Sequence, residues 1–176
     1  MKKLLVMTII GADRPGLVES VAACVAEHGG NWLESTMSRL GGQFAGILRV
    51  EVPPDQERLL VSALEALTAK GLHVVAHTDQ SPPVADAGRL SLIEVVGHDR
   101  PGIVRQISKT LADEGVNVEE LQTECSSAAM SGENLFKARA KVSIPSSVNV
   151  AGLRNNLEKI AEDLIVDISF SEISSK

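Results

Sequence analysis

Two short stretches carry the residues best placed to do chemistry, and they repeat one another. Residues 11–16 read Gly-Ala-Asp-Arg-Pro-Gly, and residues 97–102 read Gly-His-Asp-Arg-Pro-Gly, an offset of 86 positions. From Gly11 to Glu34, 10 of 24 positions are identical at this offset. The spacing predicts two copies of one small domain, each built around this turn.

Each repeated turn is predicted to begin a helix. A helix N-terminus presents unpaired N–H groups and a positive dipole end, which attract a carboxylate or a phosphate. Gly16 and Gly102 have no side chain, so a ligand could lie against the backbone there. Asp13 and Asp99 stand close enough to accept hydrogen bonds from an ammonium group. N–H groups that bind a carboxylate, next to an aspartate that binds an ammonium group, would suit a free amino acid.

The same residues also make an ordinary helix start. Asp13 could cap free N–H groups, and Pro15 fits the first helical turn because it lacks the N–H that would have no partner. Asn31 and Asn117 follow the helices, and they return to the turns only if their strands begin at that end. A β-α-β connection does not require this. A binding site and a structural cap therefore stay open as alternatives at this point.

Apolar runs and helical spacing of apolar residues predict the order β-α-β-β-α-β in each half. The predicted strands are Leu4–Ile10, Asn31–Leu40, Phe44–Val52 and Leu72–His77, then Leu90–Val96, Asn117–Cys125, Leu135–Ile144 and Ile165–Phe170. This is the ferredoxin-like arrangement. The predicted fold class is α+β, with two ferredoxin-like βαββαβ domains in tandem, each an antiparallel sheet with its helices on one face.

The predicted domains are residues 1–80 and 90–176, joined by a proline-containing linker at 81–89. Pro53 and Pro145, each of which ends a third strand, are 92 positions apart. Because the offset is 86 before this point, the second hairpin carries six extra residues within 126–134. An insertion at a loop tip has a low thermodynamic cost.

Composition excludes several classes of function. The net charge of −6 gives no broad positive field for nucleic acid. RNA-recognition modules stack bases on aromatic residues of the first and third strands, whereas Ala45, Ile47, Lys137 and Arg139 occupy outward positions here. Two cysteines are too few for a disulfide framework or a metal cluster. We expect no metal, no cofactor, no catalytic activity and no contact with membranes or nucleic acid, and a cytoplasmic location.

Other chemically interesting side chains are predicted to be structural. Cys24 falls near the apolar stripe of its helix, and Cys125 alternates with core positions, so both are predicted to be packing residues. His73 and His77 are predicted on the surface, because no carboxylate or cysteine converges on them. Trp32 could pack at an interface or in a core.

Two further features depend on the second half. His98 adjoins the second turn and could tune a site there. A basic row on the predicted outer face is expected to be neutralised by acidic and polar residues of the neighbouring strand. The row is Lys137, Arg139 and Lys141, and the neighbours are Glu120, Gln122 and Glu124.

These motifs resemble the ACT domain, a small-ligand regulatory module. The resemblance rests on a strand, Asp-Arg-Pro-Gly, an apolar helix, Gly-x-Asn and a second strand, in both halves. Two copies in a short chain resemble the glycine cleavage system transcriptional repressor family, most closely through residues 11–16, Asn31 and residues 40–44.

The resemblance implies that ACT domains pair side by side and bind an amino acid between them. Contacts would come from the turn and from the asparagine that follows the helix. This implies two sets of site residues, Asp13, Gly16, Leu17 and Asn31 in the first domain, and Asp99, Gly102, Ile103 and Asn117 in the second. Serine-binding members carry asparagine where Asp13 and Asp99 stand, so this chain keeps the acceptor at both positions and lacks the donor.

The resemblance also implies a regulator that acts through another macromolecule. The expected ligand is glycine or serine, the expected assembly is a homodimer, and the expected partner is a LysR-type activator of glycine cleavage genes. Repression would then require no contact with DNA. The alternative is a regulatory subunit or partner of an amino-acid metabolic enzyme.

Overall fold

The computed structural model describes residues 1–79, 88–127 and 134–173. The chain divides into two compact units, Met1–Pro82 and Pro83–Lys176. Most of the predicted linker lies outside the described residues, and Arg89 at its end already belongs to a strand. The predicted insertion within 126–134 falls mostly on residues 128–133, which also lie outside them.

The first unit has the predicted β-α-β-β-α-β order. Its elements are β1 (Lys3–Ala12), α1 (Leu17–Glu27), β2 (Asn31–Leu40), β3 (Gln43–Val52), α2 (Glu57–Ala66) with a 3-10 turn (Leu67–Lys70), and β4 (Leu72–Thr78). The strand order across the sheet is β2-β3-β1-β4, and every pairing is antiparallel. Because β1 and β2 both run opposite to β3, they share one direction, and α1 carries the chain back between them.

The second unit repeats this plan. Its elements are β5 (Arg89–His98), α3 (Ile103–Asp113), β6 (Asn117–Ser127), β7 (Asn134–Ile144), α4 (Val150–Leu164) and β8 (Val166–Glu172). The strand order is β6-β7-β5-β8, again antiparallel throughout. The predicted α+β fold with two ferredoxin-like sheets is confirmed. No helix among the described residues is long and apolar enough to cross a membrane.

Each core lies between one face of a sheet and its two helices and is almost entirely aliphatic. In the first unit the central side chains come from β1, β3 and α1, and include Leu5, Met7, Ile9, Leu48, Val50, Leu17, Val21 and Val25. Burying such a side chain contributes ~1.5–3 kcal/mol. A one-residue slip of a strand would expose the whole set, so the core fixes the register.

Two helix ends differ from prediction. Pro15 lies in the turn ahead of α1, which begins at Leu17 after Gly16. Ile165 is not a strand residue, because it ends α4 in the left-handed region (φ 56) and β8 begins at Val166. The first unit has Gly71 (φ 77) at the corresponding place. The apolar character of Ile165 suggested a strand where the chain needs a helix cap.

Candidate functional site

Both repeated turns place a glycine at the N-cap of a helix. Gly16 (φ 90) and Gly102 (φ 97) are left-handed, and no side chain caps α1 or α3. By contrast, Asn149 Oδ1 accepts hydrogen bonds from two N–H groups at the start of α4, at 3.1 and 3.3 Å. A Cβ at Gly16 would meet no atom within 4 Å, so conformation and not crowding requires glycine there. The N–H groups that start α1 and α3 are therefore available to an anion.

Asp13 does not cap α1, so that prediction is wrong. Its Oδ2 lies 2.6 Å from Nε of Arg39 on β2. Its backbone N–H donates to the carbonyl of Gly42 (2.9 Å). Asp13 stands three residues before Gly16, whereas a cap must occupy the N-cap position itself. The first turn therefore holds a carboxylate that is neutralised by an arginine of the neighbouring hairpin.

The second turn differs at the residue that faces its carboxylate. The offset of 86 places Cys125 where the first unit has Arg39. Desolvation, then the charge of Asp99 and a hydrogen bond with it, raise the pKa of the Cys125 thiol. The neutral thiol therefore faces Asp99 without cancelling its charge. An open pocket of about 460 Å³ is lined here by His98, Asp99, Arg100 and Asn134.

The residue after each glycine belongs to a core. Leu17 and Ile103 are 3% and 2% exposed, respectively. Their side chains fix the start of each helix against its sheet. The group that either residue can offer to a ligand at the turn is its backbone N–H.

The asparagines lie at the far end of each sheet from the turns. Asn31 is in register with Glu51, and Glu51 with Leu4, near the beginning of β1. Ala12, at the end of β1, is eight residues from Leu4, or ~26 Å along an extended strand, and Asp13 follows it. The direction of β2 causes this separation. Within one unit, the structure does not bring Asn31 to Asp13, Gly16 and Leu17.

The second unit shows the same separation. Asn117 is in register with Ser143, and Ser143 with Leu90, whereas Asp99 follows the other end of β5. The Asn117 amide donates to Glu119 Oε1 at 2.8 Å. A site that contained all four predicted residues of either set would need contributions from two domains.

The burial of the cysteines, of two histidines and of the single tryptophan was also predicted from the sequence. Cys24 is half-buried against the first core, as predicted, but Cys125 is exposed. That second prediction is wrong because Cys125 lies on the edge strand β6, where every residue is exposed. His73 and His77 are exposed, as predicted. Trp32 packs half-buried against the first core, which favours the core alternative.

Two of the three side chains in the predicted basic row form ion pairs. Lys137 Nζ lies 3.5 Å from Glu124, and Arg139 Nη2 lies 2.7 Å from Glu94. Glu94 cannot be identified as a partner of Arg139 from the sequence alone, because that requires the register between β5 and β7. Among the residues that the structure describes, no group of three or more His, Cys, Asp or Glu side chains is arranged to hold a metal ion.

Comparison with known proteins identifies similar chains. The ACT domain family matches residues 3–77 and again residues 91–134. A UPF0237 protein of Methanopyrus kandleri is 35% identical over 79 residues, which cover 44% of this chain and 81% of that protein. The glycine cleavage system transcriptional repressor of Escherichia coli is 24% identical over 165 residues, covering 91% of this chain and 85% of that protein.

A solved structure matches the whole fold. The crystal structure of an unknown protein from Galdieria sulphuraria has a TM-score of 0.89 and 29% sequence identity. The match covers 99% of this chain and 100% of that chain.

Proposed function

Because this chain belongs to the ACT domain family and carries two copies of the domain in tandem, we propose that it is a non-catalytic regulator that responds to a small amino acid. The second turn carries this proposal. Asp99 and Arg100 line an open pocket of about 460 Å³ there, and the uncapped start of α3 follows at Gly102.

The second turn offers complementary groups for both ends of an amino acid. The N–H groups that start α3, with Arg100, would bind the ligand carboxylate. Asp99 would accept hydrogen bonds from the ammonium group. Asp99 would repel a ligand carboxylate that lay close to it. In this orientation the ligand's ammonium group faces Asp99, and its carboxylate lies at the other end, near Arg100 and the start of α3. Glycine and serine are the proposed ligands, since the Escherichia coli relative is a glycine cleavage system repressor.

The first turn is proposed as the weaker site. Arg39 already binds Asp13 there, at 2.6 Å. A ligand ammonium group would have to compete with this guanidinium for the same carboxylate. We therefore expect the first site, built on Asp13, Gly16 and Leu17, to fill after the second or not at all.

A second ACT domain would complete either site. Strands β2 and β6 lie at sheet edges, so a further strand can pair with each. Antiparallel pairing of like edges places the beginning of one strand beside the end of the other. Asn31 or Asn117 of one domain would then approach the turn of its neighbour. We propose that a homodimer supplies such a pair, with domains bounded at 1–80 and 90–176.

The proposed output is repression through a protein partner. The Escherichia coli relative is a transcriptional repressor, and the net charge of −6 disfavours a phosphate backbone. We propose that the chain binds a LysR-type activator in the cytoplasm and not DNA. A pull-down that recovered an amino-acid metabolic enzyme and no transcription factor would contradict this output.

A thermal-shift screen against the proteinogenic amino acids tests ligand binding. A ligand that binds only the folded chain at ~100 times its Kd stabilises it by about 2.7 kcal/mol. We expect glycine or serine to raise the melting temperature, and Asp99→Ala or Asn117→Ala to remove that shift. Asp13→Ala is the matched control and should keep it. The proposal fails if no amino acid raises the melting temperature, or if Asp99→Ala responds like the unmodified chain.

A further inference from the structure

The outer face of the first sheet, on the side away from α1 and α2, has an uncharged centre. One row across the four strands consists of Thr36, Ile47, Thr8 and Val75. The next row consists of Ser38, Ala45, Ile10 and His73. Neither row contains an aspartate, glutamate, lysine or arginine. We call these eight residues the first outer face.

The largest apolar side chains of the first outer face are open to solvent. Ile10, Ile47 and Val75 are 49%, 55% and 52% exposed. A shallow trough of about 470 Å³ runs over the face, and Ile10 and Ile47 line it. Thr8 separates Ile47 from Val75 within the row, but Ile10, two residues further along β1, is the diagonal neighbour of both and links them. Contiguous exposed apolar surface of this kind marks an interaction site.

The corresponding outer face of the second sheet is charged, as is typical of a surface exposed to solvent. The corresponding rows are Gln122, Arg139, Glu94 and Ser169, then Glu124, Lys137, Val96 and Asp167. Five of these eight residues are charged. Arg139 binds Glu94 at 2.7 Å, and Lys137 lies 3.5 Å from Glu124. Removing these charges from water would be costly, whereas the first outer face has no such cost.

We propose that the first outer face packs against the same face of a second copy of this chain. Two neutral faces bury no unpaired charge, and a two-fold axis makes one surface complementary to itself. Sheets pack face to face at ~10 Å with their side chains interdigitating. This interface is separate from the site proposed for the amino acid, because it contains no residue of either turn. It also leaves the edges of β2 and β6 available for strand pairing.

The outer side of the whole first sheet, the first outer face together with its rim, is large enough for this occupant. Four strands spaced by ~4.8 Å and up to ten residues that rise ~3.3 Å each give that side an area of roughly 600 Å². Specific interfaces bury ~600–1,000 Å² per partner, so this area lies at the lower end of their range. Below the two rows, Glu34 and Arg49 bind each other at 3.1 Å and provide a polar rim. An apolar centre with a paired polar rim is the usual anatomy of a protein interface.

The second unit supplies the variant that tests the proposal. Thr8 and Ile47 are in register, as Glu94 and Arg139 are. The double substitution Thr8→Glu with Ile47→Arg therefore adds an ion pair that the fold already accommodates. Leu59→Arg is the matched control, since Leu59 is 56% exposed on α2, away from the sheet. The measurement is the mass in solution by sedimentation velocity and light scattering at micromolar concentrations.

We expect the unmodified chain to have at least twice the mass of the 18.7 kDa chain. The double variant should halve that mass and weaken association at least ~100-fold, because the charges added to each copy would have to be removed from water. Leu59→Arg should keep the unmodified mass. If the double variant fails to fold by circular dichroism, Val75→Lys tests the same face. A monomeric unmodified chain, or a folded face variant of unmodified mass, overturns the proposal. The thermal shift with glycine or serine is read separately in the same variants.

Discussion

Arg39 and Cys125 occupy the same place in the two repeats, and each faces the carboxylate of its own turn. The guanidinium of Arg39 neutralises Asp13 at 2.6 Å. The Cys125 thiol, with its raised pKa, leaves the charge of Asp99 in place. We propose that this one residue difference separates a turn whose carboxylate is already neutralised from one that can receive an ammonium group.

Cys125→Arg should close the second turn. The new guanidinium would bind Asp99 as Arg39 binds Asp13, at an exposed position where an ion pair contributes little to stability. We expect calorimetry to show an affinity for glycine or serine reduced by about 10-fold or more, since the ligand ammonium group loses a charged acceptor.

The reciprocal variant is the control. Arg39→Cys alters the first turn and should leave binding at the second unchanged. Unaltered affinity in Cys125→Arg would show that Asp99 does not receive the ligand.

At the scale of the elements, the strands and helices were predictable because each follows a strong local signal. Apolar side chains alternate along β3, and a glycine follows the end of α1 and of α3. These signals locate the ends of the three elements to within a few residues. The position of Asn31 in the sheet, by contrast, could not be predicted from a local signal. Its strand was predicted from Asn31 to Leu40, as observed, yet the end at which it begins depends on the path of α1 across the sheet. The pairing of Glu94 with Arg139 likewise depends on register.

The end of α4 was mispredicted for a different reason, and it gives a stability test. Ile165 is left-handed (φ 56) and 59% exposed. A β-branched residue is strained in this region, whereas glycine is not. We expect Ile165→Gly to raise the free energy of unfolding by about 1 kcal/mol in urea.

Gly71→Ala is the paired control in the first unit, and it should lower stability by a similar amount because its φ is 77. A loss of stability in Ile165→Gly would mean that apolar contacts of this side chain outweigh the backbone strain.

At the scale of the whole molecule, the two units share a fold and differ in the surfaces they offer. The first unit has a neutralised turn and an uncharged outer face. The second has an open turn and an outer face of paired charges. We propose that the first unit serves assembly and the second serves ligand binding. Two copies of one domain can diverge in this way because the cores fix the fold and leave surface positions free to change.

An NMR titration with glycine and with serine tests the central claim most directly. The backbone amides of Gly102 and Ile103 start α3, and those of Gly16 and Leu17 start α1. We predict shifts at Gly102, Ile103 and Asn117 that saturate with ligand, with smaller changes or none at Gly16 and Leu17. If neither amino acid moves the amides of the second turn, the open turn is a structural helix start, and the proposed amino-acid response is wrong.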